Sequence, residues 1–554
     1  MAKYSPFPAP PSLDRQWPGR RIEKSPVWCS VDLRDGNQAL VEPMGVDEKL
    51  EYFDMLLGLG FKEIEIGFPS ASQIEFDFAR KLIEQNRVPA GVAVQVLCQC
   101  REHLVEKTFA SLVGAKKAIF HIYNSTSPVQ RRVTFGLSKA EIKAIAVEGT
   151  RLVKAGLSSL PSTDLILEYS PESFSNTEVE YALEVCEAVM DEWGPTAARP
   201  MILNLPATVE TSTPNLYADM IEWFIAHLTR RDAAIVSLHT HNDRGTGIAA
   251  CELGLLAGAQ RVEGTLFGNG ERTGNLDIVT MALNMYSQGV DPGLKLFDLP
   301  RIATEYSDLT GMEIHPRHPY VGDLVYTAFS GSHQDAIKKG MEMRAKLGEA
   351  EAPWEVPYLP IDPKDLGRSY EAIIRINSQS GKGGVAYMLK ENAGYDLPKA
   401  MHPEVGMFIN RAADEKRKEL SAQEIQELYE AEFLNVTVPL ALLEFSEMPD
   451  HAKGETTWKS LVRYRGEDVE IVGKGKGPID AFVHSLASLG IAGVRVESFH
   501  EDALSEGSDA LAVAYILARG PGETKSWGAG IDPSIAAAGV RAVLSAVNRS
   551  LAKA

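Results

Sequence analysis

The sequence predicts an α/β protein: a (β/α)8 TIM barrel, then a mostly helical linker region, then a C-terminal α+β domain. Three observations predict it. Short apolar runs alternate with amphipathic stretches eight times between residue 27 and about residue 288, the pattern of parallel strands joined by crossover helices. The polar residues that stand out cluster just after those apolar runs, where such barrels carry their chemistry. From about residue 436 the chain turns β-rich and repeats a glycine-turn-helix unit. The length, 554 residues, is too great for one core. We divide it into an arm over 1–26, the barrel over 27–300, linker subdomains over 301–435 and a C-terminal domain over 436–554.

The first strand is expected over 27–33. The helix over 46–59 puts Leu50, Phe53, Leu56 and Leu57 on one face and stops at Gly60. Further strands are expected over 62–68, 92–98, 118–123, 164–169, 200–205, 233–241 and 261–267, and their helices over 73–85, 102–112, 138–155, 177–192, 214–228, 247–256 and 276–287. Ser138 and Glu141 have the spacing of a capping box. The rival architecture is a doubly wound open sheet. No G-x-G-x-x-G follows the first strand, which counts against its dinucleotide-binding form.

Beyond the barrel, 295–345 reads as broken helix and 346–370 as a Pro-rich, polar linker. Ser378-Gln379-Ser380-Gly381-Lys382-Gly383-Gly384 is a glycine-rich turn entering a helix over 385–391, and another helix covers 422–433. Gly473-Lys474-Gly475-Lys476-Gly477-Pro478 then opens a helix over 479–489, and Gly528-Ala529-Gly530-Ile531-Asp532-Pro533 opens one over 534–551, a loose internal repeat. This region lacks clustered carboxylates and histidines, so it binds or regulates rather than catalyses.

Composition narrows the function. Hydrophobic residues make up 44% and charged residues 24%, ordinary for a globular protein. The net charge of −19 argues against non-specific binding to nucleic acid or to an anionic membrane. Five cysteines (Cys29, Cys98, Cys100, Cys186, Cys251) form no disulfide framework and fit a reducing, cytoplasmic setting. Cys98 and Cys100 read as barrel packing. No run reaches membrane-spanning length. The Pro-rich N-terminus lacks a signal peptide's apolar core and reads as an arm suited to lying on a partner subunit.

The seventh strand is the most informative. It ends in Ser237-Leu238-His239-Thr240-His241-Asn242-Asp243. Residues at i and i+2 of a strand share a face, so His239 and His241 aim two imidazoles at one point. Neutral imidazole is a common metal ligand, and a hydrogen-bonded histidine pair is the competing reading. The other strand ends add Arg34, Asp35, Asn37 and Gln38; His121 and Asn124; Glu168, Ser170 and Glu172; Asn204 and Thr208; and Gly268-Asn269-Gly270-Glu271-Arg272-Thr273-Gly274-Asn275. Each alone could be a cap or a loop hydrogen bond; their shared position is the evidence.

Three motifs, Leu33-Arg34-Asp35-Gly36-Asn37-Gln38-Ala39, His239-Thr240-His241-Asn242-Asp243 and Gly268 through Asn275, resemble signatures of the metal-dependent TIM-barrel acyl-CoA condensing enzymes and lyases. Within that superfamily the chain is similar to the long-form 2-isopropylmalate synthases. Gly331-Ser332-His333-Gln334-Asp335 and Asn377-Ser378-Gln379-Ser380-Gly381-Lys382-Gly383-Gly384 fit that branch, and the C-terminal domain resembles its leucine-sensing domain. Some relatives have Glu where Asp35 stands; Asp keeps the carboxylate and shortens its reach.

The resemblance implies condensation of acetyl-CoA with 3-methyl-2-oxobutanoate, then thioester hydrolysis, giving 2-isopropylmalate and CoA, with feedback inhibition by L-leucine in a homodimer. It implies a divalent ion (Mg2+, Zn2+ or Mn2+) on Asp35, His239, His241 and Asn275, and activation by a monovalent cation such as K+. A carboxylate, two imidazoles and an amide oxygen suit such an ion. Arg34 would stabilise the developing alkoxide, provided the strand bends at its end, since in a regular strand it faces away from Asp35. Glu172 and His333 look like the pair that activates the acetyl group, with either as the proton acceptor. Leu97, His121, Ser170 and Thr208 would surround the oxo acid. Competing readings are a citramalate or homocitrate synthase, a lyase running the reverse cleavage, and a non-catalytic amino-acid sensor. The absence of an extra basic residue next to His121, Ser170 or Thr208 favours a substrate with an apolar tail.

Overall fold

A computed structural model describes residues 7–8, 10–11, 14–328, 331–347, 353–368, 382–416, 420–504 and 511–553. Two compact units emerge: Met1–Val325 with Pro363–Arg368, and Tyr326–Asp362 with Ser369–Ala554.

In the first unit, eight parallel strands close into a barrel in sequence order: β1 (Val27–Ser30), β2 (Glu63–Gly67), β3 (Ala93–Gln99), β4 (Lys117–Ser125), β5 (Asp164–Glu172), β6 (Met201–Ala207), β7 (Ala234–Thr240) and β8 (Arg261–Gly264). Strand β8 pairs back onto β1, with Val27 opposite Arg261. The strands are joined by α1 (Val46–Leu59), α2 (Gln73–Glu84), α3 (Glu102–Leu112), α4 (Lys139–Gly156), α5 (Val179–Trp193), α6 (Pro214–His227) and α7 (Gly247–Leu256), and α8 (Ile278–Tyr286) follows β8. Each helix buries one apolar face; α1 ends at Gly60, whose φ of 103° is the left-handed cap conformation that glycine adopts freely. Ser138 and Glu141 form the expected capping box at the start of α4.

The alternation of the strands decides what fills the barrel. At the bottom lie Ala93, Ile119 and Ile202, packed with Ile166 and Ile235. Two residues further along the same strands come Gln95, His121, Glu168, Asn204 and Ser237, all buried, joined by Arg261 and Glu263 of β8 and Glu65 of β2. Two residues further again come Leu97, Ser170 and His239. The interior is therefore an apolar plug, then a charged tier, then the site.

Two expectations are corrected in detail. Strand β1 stops at Ser30, and Asp32–Gly36 forms a π-helical turn in which the N–H groups of Arg34, Asp35 and Gly36 all reach the Val31 carbonyl. Strand β8 likewise stops at Gly264 and gives way to a 3-10 turn over Leu266–Gly268. The described part of the N-terminal arm lies on its own barrel: the Trp17 indole and the Arg15 guanidinium both donate to Asp219 of α6, at 2.9 and 2.8 Å. Helix α9 (Leu299–Thr310) follows the barrel.

The second unit contains α10 (Gly331–Leu347), α11 (Lys382–Ala393), α12 (His402–Lys416) and α13 (Ala422–Phe433). Two antiparallel three-stranded sheets follow, each with a helix after its third strand. Strands β9 (Leu440–Asp450), β10 (Glu455–Tyr464) and β11 (Glu467–Gly475) precede α14 (Pro478–Ser485), and β12 (Arg495–Ala503), β13 (Ala512–Arg519) and β14 (Lys525–Asp532) precede α15 (Ile535–Lys553). The glycine pairs of the internal repeat have a packing cause. A Cβ on Gly473 or Gly475 would meet the backbone of Ala481 in α14, and one on Gly528 or Gly530 would meet the backbone of Ala538, Ala542 and Ala546 in α15. Each pair lets its helix lie directly on the strand. Residues 377–381 of the glycine-rich motif lie outside the described residues. Among the described residues, the cysteines are free and no helix is long and apolar enough to cross a membrane.

Candidate metal centre and active site

The π-helical turn after β1 is anchored by Asp32, which accepts hydrogen bonds from Tyr52 Oη at 2.8 Å and from the Leu266 N–H at 3.0 Å. Burial pushes the Asp32 carboxyl up to about 6. The turn swings Arg34 and Asp35 onto one side, the bend that a regular strand would forbid. Arg34 Nη1 lies 3.2 Å from Asp35 Oδ1, and its Nε pairs with Glu65.

Asp35 Oδ2 lies 3.1 Å from His239 Nε2 and 3.8 Å from His241 Nε2. Asn275 Oδ1 lies 3.1 Å from the same His239 nitrogen. The carboxylate, the two imidazoles and the amide oxygen thus converge. Gly268, Gly270 and Gly274 build the turn that aims Asn275: a Cβ on Gly270 would strike its side chain, and the Asn275 N–H donates to Gly268 O at 3.0 Å. Shaping this turn accounts for these glycines.

Electrostatics fit a cation here. Burial works to raise the Asp35 carboxyl, but Arg34 and His239 hold it well below the usual carboxylate range. Burial works to lower His239, yet hydrogen bonds to Asp35 and Glu263 push it up to about 9. His241 is pushed down to about 4 by burial and by His239, so it is neutral and able to ligate. Its Nδ1 is buried without a hydrogen-bond partner among the described residues. The donor set is that of a hard or borderline divalent ion.

A second group, Glu65, His121 and Glu263, has ligand atoms within 4.8 Å of one another. It is better read as an ion-pair network, because its carboxylates are already occupied. Glu65 takes Arg34, Gln95 Nε2 at 2.6 Å and His121 Nδ1 at 3.0 Å. Glu263 takes Arg261, Gln95, His239 and Asn204. In the same tier burial keeps Glu168 well above the ordinary carboxyl range, with Arg261 opposing it 3.4 Å away.

The cavity above this tier has a volume of about 360 Å3. Its walls include Arg34, Asp35, Leu97, His121, Ser170, Glu172, Thr208, His239 and His241. Because Glu65 accepts at His121 Nδ1, the Ser170 hydroxyl donates to His121 Nε2, at 2.7 Å. Ser125 donates to Glu172 at the end of β5, and Thr208 Oγ1 accepts from the Ser173 N–H at 2.9 Å. His333 belongs to the second unit, exposed on α10, with its ring 4.0 Å from that of Tyr358. Sequence reasoning missed Phe68, Tyr123 and Pro206 in the wall. One expectation is corrected: Arg272, counted at the end of the eighth strand, is a basic residue next to Thr208, reaching its carbonyl at 2.6 Å while paired with Asp243. Glu65, Gln95 and Glu263 were missed as well, though Gln95 lies two residues before Leu97 on the same strand face, a usable signal.

A closed parallel barrel with a carboxylate, two imidazoles and an amide gathered at one rim defines a (β/α)8 enzyme with a candidate metal site. Residues 25–305 match the HMGL-like family, a divalent-metal-dependent superfamily. Residues 323–390 match the alpha-isopropylmalate synthase post-catalytic domain, and 419–551 match the LeuA allosteric (dimerisation) domain. The chain is 53% identical over 556 residues to the 2-isopropylmalate synthase of Parafrankia sp. (strain EAN1pec), covering 99% of this chain and 97% of that one. It is 52% identical to the enzyme of Clostridium acetobutylicum, covering 100% and 99%, and 53% identical to that of Brucella suis biovar 1, covering 100% and 99%. The chain belongs to the 2-isopropylmalate synthase family, acyltransferases of leucine biosynthesis.

Proposed function

We propose that the chain joins the methyl carbon of acetyl-CoA to the ketone carbon of 3-methyl-2-oxobutanoate, and that water then cleaves the thioester to release CoA and 2-isopropylmalate. The observation that carries this is the convergence of Asp35, His239, His241 and Asn275 beside Arg34 and Glu172 in one cavity. A divalent ion held there (Mg2+, Zn2+ or Mn2+) supplies Lewis acidity at the ketone oxygen. The chain's own residues do the rest. Arg34, locked by Glu65 and Asp35, presents its remaining N–H groups to the oxygen that gains charge as the C–C bond forms. Glu172 and His333 form the pair proposed to take the methyl proton. His121, Ser170 and Thr208 orient the oxo acid, and the apolar wall of Phe68, Leu97 and Pro206 suits a branched hydrocarbon tail.

Arg272, in the wall of the cavity, is a feature that would favour a dicarboxylic oxo acid. Its pairing with Asp243 at 2.6 Å neutralises it, which supports the apolar substrate over homocitrate-type chemistry. L-Leucine acting through the C-terminal domain, a homodimer, activation by K+ and a cytoplasmic site of action complete the proposal. The test is a CoA-release assay across a panel of 2-oxo acids, with and without leucine. Preference for 3-methyl-2-oxobutanoate with inhibition by leucine is expected; preference for pyruvate or 2-oxoglutarate would refute the assignment.

A further inference from the structure

We propose that Glu263 is the positioning residue of the metal centre: from β8 it dictates which nitrogen of His239 meets the cation. This rests on the ligand set proposed above. Glu263 is fully buried, and its two oxygens accept four hydrogen bonds. Oε1 accepts from Arg261 Nη1 at 2.9 Å and from Gln95 Nε2 at 2.8 Å. Oε2 accepts from His239 Nδ1 at 2.8 Å and from Asn204 Nδ2 at 3.2 Å. An ionised carboxylate only accepts, so His239 Nδ1 carries a proton. Nε2, the atom 3.1 Å from both Asp35 Oδ2 and Asn275 Oδ1, is then the nitrogen that gives up its proton and ligates when a cation binds.

The carboxylate is itself held from behind. Arg261 also binds Glu63 at 2.6 Å and Ser237 at 2.8 Å, and Gln95 also binds Glu65 at 2.6 Å. Charge balance for Arg261 would need only one Glu263 oxygen. The other, turned onto His239 and Asn204, is what an ion pair alone does not require. A carboxylate behind a ligating histidine fixes its tautomer and ring plane and raises its basicity.

Glu263→Gln tests this, because it keeps the size and places an amide NH2 among donors. Facing His239, that NH2 makes Nδ1 an acceptor, moves the ring proton to Nε2 and removes the ligand atom. Facing Arg261 and Gln95, it opposes two donors. Zn2+ titrated into the full-length variant by calorimetry should bind about 10–100-fold more weakly than to the parent, with an unchanged circular dichroism spectrum. Should Glu263→Gln not fold, the Glu263→Gln/Arg261→Met pair removes the opposed donor and should show the same weakening. His241→Ala runs alongside as a direct ligand variant. Weak binding by both variants supports the inference. Parental affinity in Glu263→Gln with loss in His241→Ala overturns it and spares the ligand set; parental affinity in both overturns both.

Discussion

Arg34→Lys isolates the role of the bend after β1. Arg34 is only slightly exposed and holds two carboxylates at once, Glu65 through Nε and Asp35 through Nη1 at 3.2 Å. At an effective dielectric constant of about 20, unit charges 3.2 Å apart attract by about 5 kcal/mol before desolvation is subtracted. Lysine keeps the charge but offers a single point donor on a shorter stem, so it can satisfy one carboxylate or face the substrate, not all three. Loss of an oriented donor at a developing oxyanion costs about 10²–10³ in kcat, or about 3–4 kcal/mol. We expect kcat for CoA release to fall by about that factor, with KM for the oxo acid rising less than tenfold. The assay is steady-state thiol release at saturating acetyl-CoA and metal, with the melting temperature followed in parallel. A variant within about threefold of the parental kcat would mean that Arg34 only braces Asp35, and the alkoxide role would have to be dropped.

Other outcomes follow from the same geometry. Asp35→Ala and His241→Ala should lose metal and activity together; an active variant with normal metal content would refute the ligand set. Glu172→Gln or His333→Ala should slow turnover by about 10²–10⁴ with little change in oxo-acid binding, and equal loss of both would point to a structural role. Asp32 carries a pH signature. Its folded value of about 6 lies above the ordinary 3.8, so the folded state loses stability as pH rises through that window, by about 3 kcal/mol for a shift of about 2 units. Asp32→Asn keeps an acceptor for Tyr52 and Leu266, so its stability relative to the parent should increase between pH 4 and 7 in urea melts; a pH-independent difference would contradict the raised value. Deleting residues 436–554 would remove Tyr515 and Trp527 from the core shared with Tyr429 and Phe433, so leucine sensing is better tested by Gly530→Val. Lifting α15 from β14 should raise the leucine concentration for half-inhibition at least tenfold at near-parental kcat; unchanged inhibition would place the sensor elsewhere.

Much of the barrel was legible because its signals are local. Helices such as Val46–Leu59 and Glu102–Leu112 carry their own periodicity and stops, and the bounds of both agree with the sequence reading. The charged tier was not legible in the same way. Glu63-Ile64-Glu65 and Arg261-Val262-Glu263 alternate like half-exposed strands, and only barrel closure turns their polar faces inward, where Glu65 has no solvent and finds its partners on other strands and turns. Asp32 was missed for a related reason: its acceptors are used by Tyr52 and Leu266, one of them 234 residues away.

The two-residue offset between tiers links the chemistry to the fold. Strands β3 to β7 each present an apolar residue, then a polar or charged one, then a residue of the cavity wall, as in Ile166-Leu167-Glu168-Tyr169-Ser170 and Ile235-Val236-Ser237-Leu238-His239. The polar upper residues are held from this tier across strands, Ser170 by His121 and Asn204 and His239 by Glu263, so site geometry is set one layer below the substrate. Breaking a buried ion pair costs about 3–5 kcal/mol when one partner is left uncompensated. A tier built from Arg261, Glu65, Glu168 and Glu263 is therefore expensive to disturb singly. The same cost keeps Arg34 and His239 aimed before any ligand arrives, which is the preorganisation that electrostatic catalysis requires.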